Sequence, residues 1–214
     1  MTLDWLVWYY ARALELPFPV LRTLLSHGLP ITQVTFDDHF ELHVFGQRHC
    51  LYEPAVQRTL GQKEWYRNGQ LHRDDGPAVE YVDGRKDWYY HGQRHREGGP
   101  AIVETDDVYQ SWWHQGQLHR VDGPAIEGRH TNEWYRNHQL HREDGPAIER
   151  RGEKMWYRNG KPHRNDGPAY EDIDGTKLWY NNGQKHRDNG PAVERPDGTT
   201  EYWRNGVQYW PIPK

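Results

Sequence analysis

The stretch WYRNGQLHRDDGPAVE, residues 65–80, decides the fold because the chain repeats it at nearly constant spacing. A His-Arg pair follows seven residues after each of six aromatic pairs, and Gly-Pro-Ala follows the His-Arg pair. A constant period of this length is typical of repeat proteins, in which each unit packs mainly against its neighbours. The aromatic pairs recur every 22 to 24 residues, and they begin at positions 65, 88, 112, 134, 156, 179 and 202.

Two kinds of turn are predicted in each repeat. The length varies only between each Gly-Pro-Ala and the next aromatic pair, and this segment predicts the tip of a β-hairpin. Asp-Gly pairs favour two-residue turns because positive φ is accessible to them, and they occur here at 83–84, 174–175 and 197–198. A second turn is predicted at 68–69, 159–160, 182–183 and 205–206, which are Asn-Gly, and at 137–138, which is Asn-His. The pattern predicts an all-β fold of tandem hairpins that form an elongated antiparallel sheet.

The domain boundaries follow from where the repeat weakens. Residues 42–56 share the Gly-Gln, His and Pro-Ala-Val positions, so they form a degenerate copy before seven regular ones. Apolar residues with helical recurrence precede it and stop at Gly28 and Pro30. We therefore predict a short helical N-terminal cap over residues 1–36, a degenerate repeat over 37–60, repeats over 61–207 and a tail over 208–214.

Composition limits the classes of function. The chain has 214 residues, of which 35% are hydrophobic and 14% aromatic, so rings rather than aliphatic side chains are expected to supply the core. The net charge of -4 argues against non-specific binding to nucleic acids or anionic membranes. The single cysteine, Cys50, cannot form an internal disulfide, and the apolar start lacks the positive charge of a signal peptide. A cytoplasmic location is expected.

The motif W-Y-x-N-G-x-x-H, followed by Gly, an apolar pair and Asp-Gly, resembles the MORN repeat. The nearest variety is the bacterial MORN variant of the YwqK antitoxin family. The resemblance covers roughly residues 40–207 and implies one hairpin per repeat, a long antiparallel sheet, and binding of proteins or lipids without catalysis. HRxDGPA departs from the usual His-Gly-x-Gly of MORN. A β-propeller, whose blades need about 40 residues, and a choline-binding solenoid are the alternative architectures.

Polar residues that recur at the same position of each repeat are expected to have structural roles. Six histidines recur, but equivalent residues two strands apart lie roughly 9 to 10 Å from each other, too far to share one zinc. We predict neither a metal nor another cofactor, and we expect each His to hydrogen-bond the Asp three residues later. Two copies lack that Asp and no Ser or Cys recurs nearby, so no catalytic residue is predicted. Each Arg after the His is expected to pair with a glutamate of the following strand: Glu80, Glu104, Glu127, Glu149, Glu171 or Glu194.

The aromatic pairs carry the functional hypothesis, because adjacent strand residues point to opposite faces. We expect the chain to be a non-catalytic interaction module that binds and inhibits a target protein, as an antitoxin, immunity protein or phage-encoded inhibitor does. The alternatives are binding of carbohydrate or lipid headgroups through the Trp, Tyr and Arg rows, binding of nucleic acid, and an enzyme with its catalytic group outside the repeats. The candidate contacts are Leu3, Trp5, Trp8, Tyr9 and Phe18 near the start, and the second aromatic row, Tyr66, Tyr89, Trp113, Tyr135, Tyr157 and Tyr180.

Overall fold

The structure is a computed structural model that describes residues 31–35, 39–44, 46–48, 54–105 and 108–211. Throughout these ranges the regular structure is β-strand, without a helix. The chain divides into two compact units. The first comprises residues 1–107 with 114–116, and the second comprises residues 108–113 with 117–214.

The first unit contains a continuous antiparallel ladder of short strands. Strand β2 pairs with β1 on one side and with β3 and β4 on the other, and β4, β5, β8, β9 and β12 then pair in that order. The strands are β1 (Ile31–Thr35), β2 (His39–Val44), β3 (Gln47–Arg48), β4 (Val56–Arg58), β5 (Lys63–Glu64), β6 (Tyr66–Arg67), β7 (Gln70–Leu71), β8 (Val79–Glu80), β9 (Lys86–Asp87), β10 (Tyr89–Tyr90), β11 (Gln93–Arg94) and β12 (Ile102–Val103).

The second unit contains a ladder of the same kind. Its strands pair in the order β13, β16, β17, β20, β21, β24, β25, β28, β29 and β30. The strands that follow β12 along the chain are β13 (Gln110–Ser111), β14 (Trp113–His114), β15 (Gln117–Leu118), β16 (Ile126–Gly128), β17 (Thr131–Glu133), β18 (Tyr135–Arg136), β19 (Gln139–Leu140), β20 (Ile148–Arg150), β21 (Glu153–Met155), β22 (Tyr157–Arg158), β23 (Lys161–Pro162), β24 (Tyr170–Glu171), β25 (Lys177–Leu178), β26 (Tyr180–Asn181), β27 (Gln184–Lys185), β28 (Val193–Glu194), β29 (Thr200–Arg204) and β30 (Val207–Tyr209).

A regular repeat contains two hairpins, whereas the MORN resemblance implied one. The first hairpin, such as β8–β9, belongs to the ladder, and the second, such as β10–β11, is a separate two-stranded pair. The first aromatic residue lies at the junction between them rather than within a strand. The N–H of Trp88 donates to the carbonyl of Ala101, and the Trp88 carbonyl accepts from the N–H of His95. The same separate pairs occur as β6–β7, β18–β19, β22–β23 and β26–β27.

The turns of the second hairpins are confirmed. Asn159 and Gly160 have φ values of 49° and 74°, and Asn137 and His138 have values of 50° and 62°. Two consecutive residues with positive φ form a type I′ turn, whose twist matches that of the flanking strands. Asn-Gly pairs suit this backbone conformation, although His91-Gly92 and Gln115-Gly116 adopt it as well.

The predicted two-residue turns at the Asp-Gly tips are wrong. Gly84 has a φ of 93°, but Asp83 is not in the positive-φ region. Tyr81 donates its N–H to the carbonyl of Arg85, so three residues connect the strands. This is the loop in which a type I turn ends in one left-handed residue, usually glycine. The Asp side chain accepts the N–H two residues later, and this bond stabilises the turn.

The core differs from the expected one. The alanine of each Gly-Pro-Ala is fully buried, next to a small set of Val and Ile side chains. Of the first-row tryptophans only Trp65 is buried, and the other five are half-buried. Small residues thus fill the closely packed interior, and the rings cover it from outside.

The prediction of a helical cap over residues 1–36 is wrong for residues 31–35. Residues 31–35, with the sequence ITQVT, form strand β1 and pair with β2. Four of these five residues are β-branched, which favours a strand in this segment. The remainder of the predicted cap lies outside the described residues.

We expect deletion of one whole repeat, residues 134–155, to leave a folded protein. The deletion joins β17 to the next Trp, and β17 can then pair with β24 as β21 does. Far-UV circular dichroism and urea unfolding should show a cooperative transition at a lower midpoint, because repeats contact mainly their neighbours. Deletion of half a repeat, residues 134–144, is the control and should abolish cooperative unfolding. Equal loss of cooperativity in both deletions would contradict the modular fold.

Candidate functional site

The six phased histidines connect successive hairpins through Nδ1. The Nδ1 atom of His72 accepts the N–H of His91, and the N–N distance is 3.1 Å. The donor is in each case the first residue of the next positive-φ turn. The other pairs are His95 with Gln115, His119 with Asn137, His141 with Asn159, His163 with Asn182 and His186 with Asn205. These contacts give the histidines a structural role.

The Nε2 atoms of three histidines face an acid two residues later. His72 Nε2 lies 2.9 Å from Asp74, and the corresponding distances are 3.5 Å for His141 to Glu143 and 3.4 Å for His186 to Asp188. The predicted partners were instead the Asp three residues after each His, and that prediction is wrong. Side chains two residues apart lie on the same side of an extended segment, which explains the observed pairing.

Each arginine that follows a histidine lies over the first aromatic ring of its own repeat. The distance from Cζ to the ring centroid is 3.8 to 4.0 Å in all six cases. The opposite face lies against the glycine of Gly-Pro-Ala, where an added Cβ would be 2.8 to 3.3 Å from Cζ. We call this arrangement of Trp, Arg and Gly the arginine stack. The pairs are Arg73–Trp65, Arg96–Trp88, Arg120–Trp112, Arg142–Trp134, Arg164–Trp156 and Arg187–Trp179.

The edges of the stacked guanidinium groups bind oxygen atoms. In the repeat of Arg142, one N–H donates to the carbonyl of Pro146, Nε donates to Asp144 at 2.9 Å, and Nη1 donates to Glu149 at 3.2 Å. Arg73, Arg120 and Arg164 make the same three contacts, and Arg187 makes those with Pro191 and Glu194. The predicted Arg–Glu pairs therefore form in five repeats.

Arg96 is the exception among the six stacked arginines. It donates to the carbonyl of Pro100, but among the described residues it has no carboxylate partner. Gly98 stands where Asp75 stands in the preceding repeat, and Val103 takes the position of Glu80, because Glu104 comes one residue later. The predicted Arg96–Glu104 pair is therefore wrong. Burial lowers the pKa of Arg96, which nevertheless remains charged at neutral pH.

Clefts of similar size lie beside the arginine stacks. In the first unit a cleft of about 630 Å³ is lined by the loop that carries Arg73 and by Trp88, His95 and Arg96 of the next repeat. In the second unit two clefts of about 610 and 560 Å³ share Arg164, Asn165 and Asp166, so they are adjacent. Exposed carboxylates form part of each rim. Hydrogen bonds from Arg142 and Arg164 lower the pKa of Asp144 and Asp166, which are therefore ionised at neutral pH.

The predicted contact row of second aromatic residues is half-buried. Tyr66 donates its hydroxyl to Glu64 and Tyr135 donates to Glu133, while the indole of Trp113 donates to Ser111. Burial, with the neighbouring glutamate, raises the pKa of Tyr66 to about 12 and that of Tyr135 to about 12. Tyr89 and Tyr180 each line one of the clefts, and Tyr157 is half-buried in β22. Tyr90 is an exposed aromatic residue of this region that was not among the predicted contacts. In the sequence, only its position directly after Tyr89 could have indicated it.

Comparison with known proteins adds no family to this description. No protein-family model matches the chain, and a search of curated proteins finds no match. The MORN resemblance therefore remains a prediction. Leu3, Trp5, Trp8, Tyr9 and Phe18 lie outside the described residues.

The described residues were searched for metal-binding clusters and for membrane-spanning helices. It contains no group of three or more His, Cys, Asp or Glu side chains placed to hold a metal ion. In the same residues no helix has the length and apolarity needed to cross a membrane.

We expect acid to destabilise the fold through the buried His72 before the carboxylates titrate. His72 is fully buried and burial lowers its pKa, so the unfolded state takes up a proton more readily than the folded state. The free energy of unfolding should thus fall as the pH drops from 7 to 5.5. The urea midpoint is measured at pH 7 and at pH 5.5. The difference between the two midpoints should be smaller in His72→Asn than in the unmodified protein, because the amide oxygen of Asn can replace Nδ1 as acceptor but does not titrate. The exposed His130→Asn should behave like the unmodified protein, and an unchanged midpoint in all three would contradict this role.

We expect Arg142→Gln to destabilise the protein by about 1 to 3 kcal/mol, because it removes a cation–π contact and leaves the Pro146 carbonyl and Glu149 without their donor. The control is Arg136→Gln in the same repeat, where the side chain is exposed. That change should alter the free energy of unfolding by no more than about 0.5 kcal/mol. Equal effects in urea titrations would show that the stack contributes little.

Proposed function

We propose that this chain is a non-catalytic repeat module that binds, and thereby inhibits, a target protein. The observation that carries the proposal is the pair of adjacent clefts in the second unit, which present the same chemistry one repeat apart. A regular row of similar sites fits an extended segment of another protein, because each repeat can accept one side chain or two.

The charges at the clefts favour a basic partner segment. In the second unit the guanidinium groups are covered by a ring, a glycine and carboxylates, whereas the aspartates paired with them are open to solvent. Asp144 and Asp166 are 83% and 82% exposed, and Glu143 and Asp188 are each 69% exposed. Opposite charges at such a rim contribute to specificity and to the rate of association.

The arginine stack argues against the carbohydrate and lipid alternatives. Stacking on a sugar needs an open ring face, but one face of each first-row tryptophan is already covered by a guanidinium at 3.8 to 4.0 Å. In five repeats the arginine also binds a carboxylate, so it offers little to a lipid phosphate. The same neutralised row disfavours a nucleic-acid backbone.

We expect affinity capture from cell lysate to retain a stoichiometric protein partner at low salt and to lose it at high salt, since Debye screening weakens exposed charge pairs. The double variant Glu143→Gln, Asp188→Asn should lose the partner, because both residues line the clefts. Glu104→Gln with Glu153→Gln is the matched control, since neither residue lines these three clefts.

The captured partner is then purified and assayed for its own activity with and without this chain. Inhibition that the cleft variant loses and the control retains would support the proposal. Equal capture by the two double variants would place the interface elsewhere, and Trp5→Ala with Trp8→Ala in the full chain would then test the N-terminal contacts. Capture of glycans or liposomes without protein would favour the alternative module.

A further inference from the structure

Five of the six arginine stacks are completed by carboxylates of the chain itself. Where aspartate is the partner, its Oδ1 atom lies 2.9 to 3.2 Å from the arginine Nε. Where glutamate is the partner, its Oε1 atom lies 2.5 to 3.3 Å from Nη1. The stack therefore holds the guanidinium edge in a position where carboxylate oxygens fit.

Arg96 retains the stack but has lost both acids. Its guanidinium lies 4.0 Å from the centre of the Trp88 ring and donates to the Pro100 carbonyl, as its five counterparts do. Gly98 and Val103 replace the two acids, so within the described residues no carboxylate binds the remaining N–H groups. A charged group that is held rigid and only partly hydrated is a strong donor to a suitable acceptor.

We propose that Arg96 is the binding site for a carboxylate group of an external ligand. The guanidinium forms one wall of the 630 Å³ cleft of the first unit, so a ligand can reach it from solvent. The five filled stacks show the geometry that a bound carboxylate would take. The proposed site is formed by the residues of this one cleft. Binding of a carboxylate there is a further activity, in addition to the proposed inhibition of a target protein.

The rest of the cleft indicates what kind of molecule carries the carboxylate. Tyr90 and His114 offer ring surfaces that an organic body can contact. Asp75 in the lining is bound by Arg73, and Asp74 lies 3.6 Å from Arg67, so each of these acids has a cationic partner. The carboxylate of Glu97 also lines the cleft, and repulsion between like charges disfavours a dianion such as phosphate more than a monoanionic carboxylate.

The test is a titration of the full chain with sodium acetate, followed through the Nε–H signals of the arginines in ¹H–¹⁵N NMR spectra. Sodium chloride at equal ionic strength is the reference. We expect one arginine signal, which Arg96→Gln removes, to shift saturably with a dissociation constant of about millimolar order, as befits so small a ligand. Inorganic phosphate should bind more weakly than acetate.

A second variant separates binding from folding. Val103→Glu keeps Arg96 and supplies the acid that the other repeats have at this strand position, so its own carboxylate should compete with the ligand. We expect affinity for acetate to fall at least about tenfold while the urea midpoint does not decrease. Unchanged affinity in Val103→Glu, a saturable shift that persists in Arg96→Gln, a lack of saturation, or tighter binding of phosphate would each overturn the proposal.

Two further ligands distinguish the source of the carboxylate. A short peptide with a free C-terminus is compared with its C-terminal amide, and succinate represents free small acids. If the peptide binds at least about tenfold more tightly than acetate and its amide does not bind, the carboxylate belongs to a protein chain. If succinate binds as tightly as the peptide, the ligand is a small organic acid.

Discussion

The arginine stack is the contact on which the rest of each repeat depends. Its guanidinium lies between a tryptophan ring and a glycine, and one N–H binds the carbonyl of the following proline. These contacts explain why the ring always stands eight residues before the arginine and the glycine three after it. A side chain on that glycine would displace the guanidinium, since its Cβ would lie within 2.8 to 3.3 Å of Cζ. The constant length of the motif follows from this packing.

The stack also explains how so polar a chain folds. Only 35% of the residues are hydrophobic, and the fully buried positions are occupied largely by alanine and valine. A guanidinium is flat and its faces are poorly hydrated, so it covers a ring as an apolar side chain would while its edge remains polar. Arginine thus supplies surface burial and hydrogen bonding at the same place. The histidine Nδ1 bonds then fix each hairpin to the turn of the next repeat.

The sequence was most informative where the structural cause is local. Positive φ at Asn159 and Gly160 could be predicted because two adjacent residues determine the turn, and β-strands follow from the same spacing. The Asp-Gly loop was predicted with the wrong length, since Asp83 accepts the N–H of Arg85 and needs a third residue. Contacts between repeats could not be read from one repeat. The Nδ1 partner of His72 lies 19 residues away, and nothing within residues 65–80 indicates it.

Because the motif is repeated, arginines that stabilise the fold can be distinguished from an arginine that binds a ligand. In a single-copy protein a stacked, partly buried arginine cannot be assigned to either role, but five copies here define the structural contacts. Arg96 keeps all those that support the fold and lacks only its two acids. Exposed ion pairs contribute about 0 to 1 kcal/mol each, so losing them costs the fold little. The same loss exposes a rigid guanidinium edge to the cleft, and a small change in sequence can therefore turn a structural unit into a binding site.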